Sequence, residues 1–185
     1  SCTIHDFGAT VISYKTGAGW ECLFVSRDAK KDGSKAIRGG IPLVFPQFGQ
    51  PDKSMPQHGF LRNNVWAVDE SSAYDTADAA GIQYTLSLKD VNNARGGKWD
   101  ENTTLDVTCT YTLHIEASKM TTTLELKNTC SNSFDFQTLQ HTYFRVDGQG
   151  AYDPAQCYVK GLQGYVLTDK ISNAEEYTWG SGPVI

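Results

Sequence analysis

The sequence predicts an all-β, antiparallel fold on three observations. Apolar residues recur with period two along several segments, no segment carries three turns of helical periodicity, and turn-forming residues return at short intervals. β-branched and aromatic residues are frequent. Many short strands joined by turns build a sandwich or a barrel.

In chain order, residues 9–15 and 21–26 read as a short antiparallel pair about Thr16-Gly17-Ala18-Gly19, and residues 65–69 as a further strand. The polar stretch 70–80 reads as a surface loop. Residues 82–89 alternate through Ile82, Tyr84, Leu86 and Leu88. The clearest strand is 105–115. Leu105, Val107, Cys109, Tyr111, Leu113 and Ile115 take one face, and Asp106, Thr108, Thr110, Thr112 and His114 the other. Met120, Thr122, Leu124 and Leu126 make the next apolar face. In the last clear strand, 134–146, Phe134, Phe136 and Phe144 share one parity, and Gln137, Leu139, His141, Tyr143 and Arg145 the other. Turns are expected at Asp32-Gly33, Asn92-Asn93, Gly96-Gly97 and Asp147-Gly148-Gln149-Gly150. There is no internal repeat and no low-complexity linker.

At 185 residues the chain is expected to form one domain, 1–185, long enough to bury a real core. Its 39% hydrophobic and 20% charged residues are globular composition rather than disorder. No apolar run approaches the ~20 residues of a membrane span. A net charge of −5 with scattered Lys and Arg argues against a nucleic-acid surface and against docking on an anionic membrane. The five cysteines, Cys2, Cys22, Cys109, Cys130 and Cys157, form no C-x-x-C pair and read as reduced thiols rather than a disulfide framework. No secretory or transit segment stands at Ser1, so the expected location is cytoplasmic or organellar. The chain does not begin with Met, which leaves room for an upstream segment. The single sequon, Asn102-Thr103-Thr104, carries little weight on compartment.

One region breaks the strand pattern. Residues 37–62 are rich in Gly and Pro and carry Arg38, Gln57, His58 and Arg62. Irregular backbone with polar side chains that can converge is how a loop-built site looks. Taken alone, a loop histidine such as His58 is more often hydrogen-bonded structure than chemistry. Two guanidiniums on one loop suggest capture of a phosphate or carboxylate. His141 shares its strand parity with Gln137 and Tyr143, a polar face able to line a concave sheet. His5 and His114 receive no role. His58 and His141 offer two metal ligands, with no third at a telling spacing. No Walker loop, dinucleotide fingerprint, nucleophile elbow or zincin helix occurs.

Four motifs then stand together: Ile37-Arg38-Gly39-Gly40-Ile41-Pro42, Phe45-Pro46-Gln47-Phe48-Gly49, Gln57-His58-Gly59-Phe60-Leu61-Arg62 and His141-Thr142-Tyr143-Phe144. In order and register they resemble the hexose-6-phosphate mutarotases (glucose-6-phosphate 1-epimerases) of the wider aldose 1-epimerase group. The opening residues 7–15 and 23–26 are similar to that family's first strands, and the likeness runs to about Asn173. The resemblance implies a galactose mutarotase-like antiparallel β-supersandwich and interconversion of α and β anomers of a hexose 6-phosphate, with no cofactor. On it, His141 corresponds to the catalytic acid and His58 to the second active-site histidine. Arg38 and Arg62 correspond to the arginines that hold the sugar phosphate, Gln57 to a substrate-binding glutamine, and Asp169 to the aspartate that orients a sugar hydroxyl.

The family's general base, a Glu followed shortly by Asp-Arg, has no counterpart here; Glu175 and Glu176 lack the flanking motif. The family's final strands are missing too, so the supersandwich is expected to be incomplete at the C-terminus, with an open sheet edge that something must cover. Three explanations follow: a fragment of a longer polypeptide, a partner chain that completes the sheet, or a shortened relative kept as a binding or structural module. The first is preferred, and it predicts a Glu base beyond Ile185.

Overall fold

The computed structural model describes residues 1–90, 106–146, 148–169 and 175–180. The expected turns at Asn92-Asn93 and Gly96-Gly97, the sequon at Asn102, Leu105 and Asp147 lie outside the described residues. The chain divides into two compact units, Ser1–Arg145 and Val146–Ile185.

The first unit is built on antiparallel sheets. β1 (Cys2–His5) pairs with β2 (Thr10–Tyr14), with a register shift between Thr3 and Ile4. β3 (Leu43–Val44) pairs with β8 (Leu139–Gln140). The largest sheet has the order β4-β5-β6-β7, from Ala67–Asp75, Ala79–Ser87, Val107–Glu116 and Met120–Asn128, with β4 and β7 at its edges. Its register is unbroken from β5 through β7: Tyr84 faces Tyr111, and Tyr111 faces Leu124. In the second unit, β9 (Val166–Asp169) pairs with β10 (Glu175–Thr178). Among the described residues no α-helix occurs, and no helix is long and apolar enough to cross a membrane.

The period-two pattern does what it predicts. Val107, Cys109, Tyr111 and Leu113 point inward from β6, and with Tyr84 and Leu86 of β5 they join one core cluster. Val11, Leu43, Phe45, Phe60, Leu61 and Trp66 belong to the same cluster. Burial at about 25 cal/mol per Å² of apolar surface makes such a cluster the main stabilising term.

Three expectations need correction. Residues 70–80 are not a loop: β4 runs to Asp75, Thr76–Asp78 turn, and β5 starts at Ala79. β4 is an edge strand, largely exposed, so no buried face imposes alternation on its sequence. β2 meets 21–26 at its C-terminal end alone, through the Lys15–Glu21 bridge, the Cys22 N–H on the Tyr14 carbonyl (2.9 Å), and the Glu21 carboxylate, which accepts from Tyr14 N–H (3.0 Å) and Ser13 Oγ; its ladder partner is β1. Residues 134–146 form a ladder only at Leu139–Gln140. Elsewhere the N–H groups of Gln137, His141 and Tyr143 make single bonds to the carbonyls of Pro46, Pro42 and Gly40 (2.9, 2.8 and 2.8 Å), and one isolated antiparallel bridge joins Phe144 to Leu23, with Phe24 N–H on the Tyr143 carbonyl and Arg145 N–H on the Cys22 carbonyl (both 2.9 Å). A proline has no N–H to return, so a ladder against Pro42 and Pro46 cannot close.

Candidate active site

The loop 45–62 shapes one wall of the site. The Phe45–Pro46 peptide is cis. Gln47, buried to 4% exposure, clasps the loop from inside. Its Nε2 donates to the carbonyls of Asp52 and Pro56, both at 3.1 Å, and its Oε1 accepts from Asp52 N–H at 3.0 Å. His58 and Gly59 both take positive φ, +65° and +75°. At Gly59 only glycine fits, because a Cβ there would lie 1.8 Å from the Phe45 carbonyl oxygen. This turn aims His58 inward.

Gly49 then fixes the chemistry of His58. The N–H of His58 donates to the Gly49 carbonyl (2.7 Å), and the Gly49 N–H donates to His58 Nδ1 (3.0 Å). Nδ1 is therefore an acceptor, and the ring proton sits on Nε2. Burial, with the nearby Arg62 and His141, pushes the His58 pKa down to about 4.

His141 arrives on the opposite wall from β8. Gln140, just before it, is tied to the large sheet: its Oε1 accepts from Thr122 Oγ1 (2.6 Å) and Tyr111 Oη (3.3 Å). The imidazoles of His141 and His58 meet edge to face, 5.3 Å between centroids. Tyr143 stacks on His141 at 5.1 Å and 19°. Phe48 lies 5.1 Å from His58 and 6.1 Å from His141.

Arg62 enters from a short 3-10 turn, Leu61–Asn63. Its Nη2 donates to the Gln57 carbonyl (2.9 Å), while its buried Nε has no hydrogen-bond partner. Burial lowers its proton affinity and Tyr143 opposes that shift; an arginine stays charged throughout. A buried guanidinium N–H without a partner is a donor in want of an acceptor.

The structure thus brings His58, His141 and Arg62 together, with Gln57 joined to them through its backbone and its side chain exposed. Arg38 is exposed and lies two residues before Gly40, whose carbonyl holds Tyr143 N–H (2.8 Å). Asp169 sits on β9 of the second unit, opposite Glu175. Sequence reasoning gave no role to Phe48, Gly49, Gln140 or Tyr143. For Tyr143 the signal was there, in the parity it shares with His141. For Gly49 there was none, because a backbone amide leaves no mark in sequence. Among the described residues no three His, Cys, Asp or Glu cluster as metal ligands.

The similarities to known proteins are consistent with one another. Two curated relatives, from Cenchrus ciliaris and Escherichia coli K12, are each named as a candidate glucose-6-phosphate 1-epimerase. Each is 29% identical, over 95% and 91% of this chain respectively. The chain spans about half the length of these relatives, 51% in each case. Among solved structures, a candidate mutarotase (YeaD) from Salmonella typhimurium superposes with a TM-score of 0.79 at 24% identity, over 99% of this chain and 56% of that one. HI1317 superposes at 0.68 and 22% identity, over 97% and 56%. Slr1438 from Synechocystis sp. PCC 6803 superposes at 0.68 and 18%, over 94% and 57%. These superpositions establish the all-β, galactose mutarotase-like fold. The family model for aldose 1-epimerase matches residues 1–180, and the chain belongs to that family.

Proposed function

We propose that this chain carries the acid half of a hexose-6-phosphate 1-epimerase active site, interconverting the α and β anomers of glucose 6-phosphate. The carrying observation is the His58–His141 pair, 5.3 Å apart, beside a guanidinium with an unpartnered buried N–H. The names of the relatives favour the same substrate class.

In this reading His141, as imidazolium, gives its proton to the ring oxygen while a base takes the proton from the C1 hydroxyl. The C1–O5 bond breaks, C1 becomes an aldehyde, and the C1–C2 bond rotates; on closure the C5 hydroxyl attacks C1, its proton returns to His141, and the base returns its proton to the C1 oxygen, with either configuration at C1. Two positioned proton-transfer groups suffice for so modest a barrier. His58, neutral and protonated at Nε2, donates a hydrogen bond to the sugar without competing for the acid's proton. Arg62 and Arg38 take the phosphate and Gln57 a hydroxyl. The base is a group other than these residues.

The test is two-dimensional exchange NMR of glucose 6-phosphate anomers on the full-length natural protein. His141→Asn should lower the exchange rate by about 10²–10⁴-fold, the span of general acid catalysis, with binding nearly intact. Equal loss of binding and exchange would remove the acid role. Binding without exchange in the native protein would leave a sugar-phosphate binder.

A further inference from the structure

Phe48 is 39% exposed, although its ring lies against two imidazoles. An exposed aromatic is ordinary in itself. This one is held in place from both sides. Its N–H donates to Gln137 Oε1 (2.9 Å), and Gln137 N–H donates to the Pro46 carbonyl (2.9 Å). On the other side, Gly49 exchanges two hydrogen bonds with His58. The backbone before and after the ring is thus fixed by bonds that cross from residues 137 and 58, and binding against such a ring costs little further ordering.

We propose that Phe48 is the sugar-stacking residue of this site, taking a C–H face of the hexose, with Gln137 as the positioning residue that keeps the ring presented. This rests on the hexose reading above. A pyranose has hydroxyls around its rim and C–H bonds on its faces, and an aromatic face is the electron-rich partner that C–H bonds meet best. Binding sites for small molecules combine such aromatic walls with a few placed polar groups. Here the polar groups are the two histidines within about one ring's width of Phe48. The stack also suits the reaction. Hydrogen bonds to the closed ring change as C1–C2 rotates, whereas an apolar contact is non-directional and holds the open chain through the turn.

The experiment is anomer exchange on the full-length protein, with inorganic phosphate as a competitor. Phe48→Ala should raise KM for glucose 6-phosphate about ten-fold and leave inhibition by phosphate alone unchanged, the size expected for one aromatic contact. Phe48→Tyr, which keeps the ring, should recover most of that loss. Gln137→Ala should raise KM in the same direction with kcat little changed. An unchanged KM in Phe48→Ala overturns the stacking. So does a fall in kcat at unchanged KM, which would place the ring's action on the histidines. Should Phe48→Ala fail to fold, nuclear Overhauser contacts between the Phe48 ring and hexose C–H protons in the wild type decide it, and their absence in a bound complex overturns the proposal. A wild-type protein that binds no hexose phosphate overturns the hexose reading and the stacking with it; one that turns over the sugar indifferently to Phe48 overturns the stacking alone.

Discussion

A histidine whose Nδ1 accepts a backbone N–H cannot be protonated there without losing that bond, and His58 meets this condition through Gly49. Its pKa falls from 6.5 to about 4, by burial first and the neighbouring positive charges second. Between about pH 4 and 6.5 the unfolded chain binds a proton at this position that the folded chain does not, so stability rises with pH across that window and is flat above it. Falling pH removes the stabilisation, and below about 4 both states are protonated. His58→Asn keeps an acceptor near the Nδ1 position and does not titrate. Its melting temperature should lose this part of the slope between pH 4 and 6.5, while a slope equal to that of the wild type would mean His58 is not the group responsible. The position and type of His58 were legible in the sequence, through the Gly-Pro loop around it. Its tautomer was not, because the partner is the amide of residue 49, and an amide is the same for every residue type except proline.

At the scale of elements, legibility followed burial. β6 could be read because one face is buried and the other is not, so Cys109 and Tyr111 alternate with threonines. β4 could not, because both its faces see water along most of its length. The site loop could be recognised as irregular but not traced, since its course depends on the Gln47 clasp and on close backbone contact at Gly59. Two glycines of this loop make a controlled comparison. Gly49 and Gly59 both have positive φ, +68° and +75°, but a Cβ on Gly49 meets nothing within 4 Å, while one on Gly59 runs into the Phe45 carbonyl. Gly49→Ala should therefore cost only the backbone strain, about 1–2 kcal/mol. Gly59→Ala adds the clash and should cost about 3 kcal/mol or more, read as a lower urea midpoint at constant slope. Equal losses would show that the Phe45 contact relaxes freely and that the turn does not hold His58.

For residues 1–185 taken together, charge has the wrong sign for the proposed ligand. Their net charge is −5, which repels a sugar phosphate rather than steering it in. Affinity for an anion must then come from short-range contacts. Arg62 is built for that role: Tyr143 and His58 lie near it, Gln57 holds one of its nitrogens, and its Nε is left without a partner. Arg38 is exposed on the segment leading to Gly40, beside the backbone that carries Tyr143. Each charge-assisted hydrogen bond contributes about 1.5–3 kcal/mol, so replacing one arginine by glutamine should weaken binding of glucose 6-phosphate roughly 10–100-fold. Free glucose, which brings no phosphate, should lose far less, because the histidines and the sugar's other contacts are untouched. Titrations of both sugars against Arg38→Gln, Arg62→Gln and the double variant separate the alternatives. A loss confined to the phosphorylated sugar locates the phosphate at the arginines. Parallel losses for both sugars would mean that the guanidiniums shape the pocket rather than bind the phosphate, and anion recognition would have to be sought elsewhere in the chain.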